Sequence, residues 1–424
     1  MNEDQKRELE SFLGQTEGTP PPVFVGRRDV LEDIAQAAGQ VWKGAESGRQ
    51  GMGKATRIVQ GAPGAGKSSI LSEVARNPER LGGSDGRVPM VVVLKSGDIR
   101  GPVDILMPLA ARMYPEKAHE FMARISKNTG GEAGFGLGLF RFVRKRETGI
   151  EHAQPDADWS TFGAWVRQHG GFYRPIILAI DEAQRLDYDR KHPIAKLLQG
   201  LHDGCGLPIA LVLAGLSDTE YSAGRMDLTR IPARQIHGIG CFPEPDAEDF
   251  MARSCSHFGI DITGFEGEVA RLTRPCDGWP RHLHIVLETF GREVLRTGGD
   301  LGGAEWERVR AEISAGRDGY YGHQQSEQME TSARLTANVM SGLTIGIGRA
   351  DVIDLIEKNI GEHPSDRLPV GMNAAEEFLI HLIHRGALQR DDKKRYGCPI
   401  SSFRTYLIEQ GGIVSNSSTI SNPV

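Results

Sequence analysis

Gly61-Ala62-Pro63-Gly64-Ala65-Gly66-Lys67-Ser68 fits the pattern G-x-x-x-x-G-K-[ST] at every position. A short β-prone run, Thr56–Gln60, leads into it, and a helical stretch beginning Ser69-Ile70-Leu71 follows it. That strand–loop–helix setting is the one in which the pattern cradles phosphate. The glycines let the backbone curl so that successive N–H groups point inward, and the helix N-terminus adds partial positive charge. Gly61, Ala62, Pro63, Gly64, Ala65, Gly66, Lys67, Ser68 and Ser69 are therefore the candidate nucleotide contacts. The Lys67 ammonium is expected on the β- and γ-phosphates, and the Ser68 hydroxyl on Mg2+. Gly51-Met52-Gly53-Lys54, just upstream, resembles the end of such a loop. Ala55 stands where the hydroxyl is needed and no strand precedes it, so it reads as a flexible lead-in.

A second signal lies about 110 residues further on, where Ile176-Ile177-Leu178-Ala179-Ile180 ends in Asp181-Glu182. Phosphoryl transfer needs charge neutralisation and an oriented water more than covalent chemistry. Asp181 suits the metal's hydration shell and Glu182 suits polarising the attacking water. Around these motifs, apolar runs at Thr56–Gln60, Pro89–Leu94, Pro175–Ile180 and Pro208–Leu213 alternate with helical stretches. Near-continuous apolar strands joined by helices predict a parallel α/β sheet covered on both faces.

Three stretches together resemble AAA+ ATPases: Val23-Phe24-Val25-Gly26-Arg27-Arg28-Asp29-Val30-Leu31, the phosphate loop, and Leu178–Leu186 with its Asp181-Glu182-Ala183-Gln184. The combination is similar to the branch holding the origin-recognition ATPases, the STAND signalling ATPases and the ATPases of bacterial transposons. The resemblance spans about residues 23–295. It implies a P-loop parallel-sheet core over 23–243 and a helical lid over 244–298, with ATP and Mg2+ between them. It further implies that Val25 and Gly26 line the adenine, and that Arg281, in Gly278-Trp279-Pro280-Arg281, reaches the γ-phosphate from the lid. An arginine finger given to a neighbouring subunit would be Arg230 first and Arg225 second, which makes a homo-oligomer the expected assembly. The fourth strand should end in a polar sensor, but Ala214-Gly215-Leu216 follows it, and Ser217 is the nearest candidate.

Composition sets the outer limits. The 424 residues make two to three domains at about 150 residues each. The 39% apolar content supports a sizeable core. The net charge of −6 excludes a globally basic nucleic-acid binder while leaving room for local patches. The longest apolar run, Ile209–Ala214, falls far short of the ~18–20 residues that span a bilayer. The opening Met1-Asn2-Glu3-Asp4 is not signal-like. Five scattered cysteines form no C-x-x-C pair, which points to a reducing cytoplasm. Arg281-His282-Leu283-His284 places its histidines on different helix faces, so no metal site is expected there.

Outside the core, residues 1–22 read as a polar tail and linker, and 411–424 as a flexible tail. The Gly-rich stretch 298–325 reads as a linker around one short helix, Ala304–Ser314. Residues 326–410 carry three helices and then a charged turn, Arg390–Tyr396, in an order that resembles a winged-helix-like α+β domain. Gly130–Gly138 alternates glycine with apolar residues and runs into Arg141–Arg146. Through Arg144, Lys145 and Arg146, or through the C-terminal domain, the chain could meet DNA. The expected function is thus an ATP-binding and hydrolysing switch that couples nucleotide state to oligomerisation and to DNA or a partner protein. It resembles most the DNA-associated ATPases of transposition and replication. Two other readings stand beside it: a STAND-like signalling or anti-phage defence ATPase acting on an effector protein without DNA, and a nucleotide-bound scaffold with little hydrolysis.

Overall fold

The computed structural model describes the whole chain except residues 15–21, 49–54, 83–85, 129–157, 187, 325–331, 344–345, 361–373, 392 and 418–424, and except the side chains of 126–128 and 411–417. Its centre is a five-stranded parallel sheet. The strands are β1 (Thr56–Gln60), β2 (Met90–Lys95), β3 (Ile176–Asp181), β4 (Ile209–Gly215) and β5 (Ile236–Gly238), in the order β2-β3-β4-β1-β5. β1, β3 and β4 are buried almost throughout, as expected of central strands covered on both faces. The register aligns the strand exits: Gln60 pairs with Gly215, and Lys95 with Asp181. The four strands expected from apolar runs are present, β1 with the expected bounds and the other three with edges shifted by one or two residues. β5 has only three residues and no apolar run to announce it.

Two apolar cores flank the sheet. One, on Phe121, Phe162, Trp165 and Leu198, packs the helices Pro102–Met113, Ala118–Asn128, Trp159–Gln168 and Pro193–His202 against it. The other starts under the helices Arg28–Glu46 and Lys67–Arg76 and runs without a break into the C-terminal helices, through Leu335, Phe378, Leu382 and Phe403. After Pro243 the chain turns to helices: Glu244–His257, Glu266–Thr273 and Pro280–Arg296, close to the expected ranges. Pro280 sits in the first turn, where its missing N–H costs nothing.

Two expectations for the flanking segments need correction. The N-terminal stretch is not a tail over its first part: Glu3–Leu13 is a helix. The Asn2 side chain accepts the Gln5 backbone N–H, and the Gln5 side chain accepts the Asn2 N–H, each at 2.9 Å. Leu9 and Phe12, one turn apart, are buried against Phe258, His284 and Gly291 of the lid. The short helix expected at Ala304–Ser314 is a 19-residue helix, Trp306–Gln324, that continues through the glycines. There a Cβ at Gly316 would lie 2.9 Å from Ile285, so glycine permits close packing on the lid helix rather than a break.

The C-terminal region has helices Ala333–Gly342, Arg349–Ile360, Ala374–His384 and Ser401–Ser417. Between the last two lies an antiparallel hairpin, β6 (Gln389–Arg390) with β7 (Tyr396–Gly397), and Ile347 bridges to Tyr396 beside it. The final helix runs past 411, into the stretch expected as a tail. Gly51–Lys54, the Gly130–Gly138 stretch, and Arg144, Lys145 and Arg146 lie outside the described residues.

Candidate nucleotide-binding site

The site forms where β1, β3 and β4 end, at the carboxyl edge of the sheet, the usual place for ligands on open parallel sheets. β1 is tied to its neighbour through its last residue, and the Gly61 N–H extends the pairing by donating to Gly215 O at 3.1 Å. The chain then loops over the start of the helix Lys67–Arg76. Gly64 has φ +80°, and a Cβ there would lie 2.8 Å from the Tyr320 hydroxyl and 2.9 Å from Arg281 Cβ. Only glycine meets both demands. The backbone N–H of Arg281 donates to Gly64 O at 3.2 Å, stitching the lid to the loop.

A cavity of about 740 Å³ opens beside the loop, a volume suited to a ligand of nucleotide size. Its walls are Val23–Val25 and Arg27, the loop from Pro63 to Ser69, and the lid residues Pro280 and Arg281 with Tyr320. Val25 and Arg281 therefore line the same cavity as the loop. Gly26, with φ +64°, shapes the turn between Val25 and Arg27, where a Cβ would stand 2.6 Å from Asp246 Oδ2, and does not itself line the cavity. Gly61 and Ala62 sit behind the loop and do not line the cavity. Arg27 stacks over Phe242 at 4.8 Å and donates to Gly240 O, which pins the 23–27 segment to the chain after β5.

The side chains expected to act on a nucleotide converge at the far end of the loop. Ser68 Oγ donates to Asp181 Oδ2 at 2.7 Å, although β4 separates their strands. A hydroxyl and a carboxylate oxygen so placed are both hard oxygen donors and fit Mg2+. Lys67 Nζ donates to Gly61 O at 2.8 Å and Ala62 O at 2.9 Å, folded back on its own loop. Burial lowers its pKa to about 8, against the pull of Asp181 and Glu182. Glu182 has φ +54°, and its carboxylate pairs with Arg185 at 3.0 Å. Its backbone carbonyl accepts the Ser96 hydroxyl at 2.9 Å, which ties the β2 exit to the acid. Gln184 reaches across to β4: its Oε1 accepts the Leu216 N–H at 3.0 Å. The strand tip is thus closed by a side chain from the Asp181-Glu182-Ala183-Gln184 segment. Ser217 beyond it is 3% exposed, with its hydroxyl unbonded.

Arg225 ends the short helix Thr219–Arg225, and Arg230 follows in an exposed turn with φ +62°. Neither lines the cavity of its own chain. Among the described residues no three His, Cys, Asp or Glu side chains gather into a metal-holding group, and all five cysteines are free. His282 is fully buried, and burial takes its pKa down to about 3, while His284 pairs with Glu288. No helix among the described residues is long and apolar enough to cross a membrane.

Sequence reasoning missed Tyr320. Its hydroxyl donates to Pro63 O at 2.8 Å, and burial raises its pKa to about 12. The Gly-rich surroundings hide it, because glycines read locally as the end of the helix that carries it. Gln389 was missed as well: it donates to Ile239 O and accepts from the Ala62 N–H.

No family model and no curated protein matches the chain. Solved structures do. The ORC2 protein of Aeropyrum pernix in ADPNP–ADP complexes has 14% identity and a TM-score of 0.51, covering 96% of this chain and 98% of the other. Its ADP form has 13% identity and a TM-score of 0.52, covering 97% and 99%. A Walker-type ATPase of Pyrococcus abyssi aligns at 16% identity and a TM-score of 0.49, over 92% and 99%. At such identities the likeness to the two ORC2 structures speaks for the fold alone, and with the strand order and the loop geometry it says that this chain has the α/β P-loop fold those structures share.

Proposed function

We propose that the protein is an AAA+ ATPase that binds and hydrolyses ATP and passes its nucleotide state to oligomerisation and to DNA or a partner protein. The observation that carries this is the 2.7 Å contact between Ser68 and Asp181 at the mouth of a phosphate loop whose half-buried lysine is folded onto the loop carbonyls. Ser68 and Asp181 would hold Mg2+, which supplies charge neutralisation at the β- and γ-phosphates. The loop N–H groups would bind the phosphates, Lys67 would swing from Gly61 O onto them, and Glu182 would leave Arg185 to orient the water. Val25 and Gly26 would flank the adenine and Arg281 would contact the γ-phosphate. Arg230, or Arg225, would complete the site of a neighbouring copy. The complexes of Aeropyrum ORC2 with ADP and ADPNP agree with a nucleotide in this fold.

DNA association is the first reading of the output, resting on the resemblance to transposition and replication ATPases and on the basic run Arg144-Lys145-Arg146. A winged-helix role for the C-terminal helices and hairpin belongs to the same reading. One observation favours the signalling reading without DNA. Arg390 of the hairpin is paired to Glu220 and Arg395 to Asp391, so two of its cations are already engaged by carboxylates. The deciding experiment measures ATP hydrolysis by wild type and Glu182→Gln, with and without duplex DNA, over a salt series. The expected result is at least about a 100-fold loss in the variant with ATP binding retained, and DNA stimulation that falls steeply with salt. Equal, slow rates in both proteins would defeat the enzyme reading in favour of a scaffold. Stimulation absent at every salt would hand the output to a protein effector.

A further inference from the structure

The phosphate loop is held from behind as well as from the cavity. Gln389, the first residue of β6, places its side-chain amide between two backbone groups of the nucleotide core. Its Oε1 accepts the Ala62 N–H at 3.0 Å, and its Nε2 donates to Ile239 O at 2.9 Å. One amide orientation satisfies both contacts, an acceptor toward the N–H and a donor toward the carbonyl. The turn before it fits as closely: Gly386 has φ +74°, and a Cβ there would stand 2.7 Å from Pro63 Cδ. Around this point His384 pairs with Asp218 at 2.7 Å and Arg390 with Glu220 at 2.8 Å, both on the segment after β4. Beneath it, Ala62, Ala65 and Ile239 share one apolar core with Phe378, Leu382, Ala387 and Leu388.

The two faces of the loop divide the work. Pro63 to Ser69 line the cavity, whereas Ala62 does not. Gln389 therefore occupies an N–H that leaves the anion-binding face open. We propose that Gln389 is a positioning residue for the phosphate loop, through which the docked C-terminal hairpin holds Ala62–Pro63 in the shape that receives phosphate. The inference rests on the ATP reading above. Ordering the loop before the ligand arrives removes that cost from binding. Linkage then requires the converse: ATP must favour the docked hairpin by the same factor. A domain that signals outward is thereby wired to the nucleotide site by one side chain.

The test uses the full-length chain and a fluorescent ATP analogue, together with steady-state hydrolysis and hydrogen exchange. Gln389→Met keeps the length of the side chain and loses both bonds. Gln389→Asn keeps the amide but is one methylene too short to span both groups, and serves if the first variant folds poorly. Arg390→Ala breaks the adjacent ion pair without touching the loop. The expected result for either Gln389 variant is roughly a tenfold rise in Kd and KM with kcat within about twofold, and Arg390→Ala should stay near wild type in Kd. In wild type, ATP should slow exchange in 386–397, and Gln389→Met should abolish that slowing. Wild-type Kd in both Gln389 variants overturns the proposal, as does an equal weakening by Arg390→Ala, which would mean general docking rather than this amide. A wild-type chain that binds no ATP overturns the nucleotide reading itself, and this proposal with it.

Discussion

Lys67 is held in a state well removed from that of a free lysine. Its half-buried ammonium rests on the carbonyls of Gly61 and Ala62, and desolvation lowers its pKa to about 8. Phosphate charge beside it would favour the ammonium and raise that value again. The bound state then holds more protons than the free one above pH 8, so ATP binding should take up a proton there. Affinity should fall by up to about tenfold per pH unit through that window. Calorimetry in buffers of different ionisation enthalpy reads the uptake directly, and Lys67→Arg, which stays charged, should abolish it. The motif made Lys67 visible in the sequence. Its folded-back pose was not visible, because it depends on carbonyls that only the closed loop aims at it.

At the scale of elements, the lid is stapled to the following helix by a buried carboxylate. Glu293 accepts from Arg296 at 2.7–2.8 Å, from the Glu305 N–H at 2.6 Å, and from Arg308. The Arg296 hydrogen bonds are the largest cause, and they lower the Glu293 pKa to about 2 from an ordinary 4.5. A carboxylate whose folded pKa is depressed stabilises the fold above its unfolded pKa and loses that contribution as pH falls. The window here is pH 4.5 down to about 2. Thermal unfolding should show wild type well above Glu293→Gln at pH 7, the two converging as the pH drops through that range. A constant gap would mean the network contributes nothing through ionisation. The Pro280–Arg296 helix itself was legible from its proline start and its apolar spacing. The continuation of Trp306–Gln324 through Gly316, Gly319 and Gly322 was not, because glycines read locally as breaks; packing on Ile285 explains Gly316, while a Cβ at Gly319 or Gly322 would meet nothing within 4 Å.

At the scale of the molecule, the N-terminus closes the lid. Leu9 is fully buried and Phe12 nearly so, and both reach the lid from a helix that local charge disguises. Leu9→Ala should cost about 2–5 kcal/mol, the range for truncating a buried leucine. Denaturant unfolding of the full chain measures it, and a loss below about 0.5 kcal/mol would mean the helix is not docked in solution. The same scale explains the C-terminal region. Its order of helices and hairpin can be read along the chain, but its shared core with the phosphate-loop side of the sheet cannot. Phe378 and Ala62 are more than 300 residues apart, and nothing local couples them.

What the sequence determined by itself is the set of features carried by short-range chemistry. A strand, a glycine loop and a helix in succession define the phosphate cradle, and an apolar run ending in two acids defines its partner strand. These are legible because backbone geometry and hydrophobic period act over a few residues. The tertiary structure alone decided which distant groups meet: Ser68 with Asp181 across β4, Gln184 with Leu216, Tyr320 with Pro63, and Gln389 with Ala62. It also decided that β5 exists, since three residues hold as a strand only by pairing along β1. Such contacts follow from packing one buried surface on another, a long-range balance that no local pattern records.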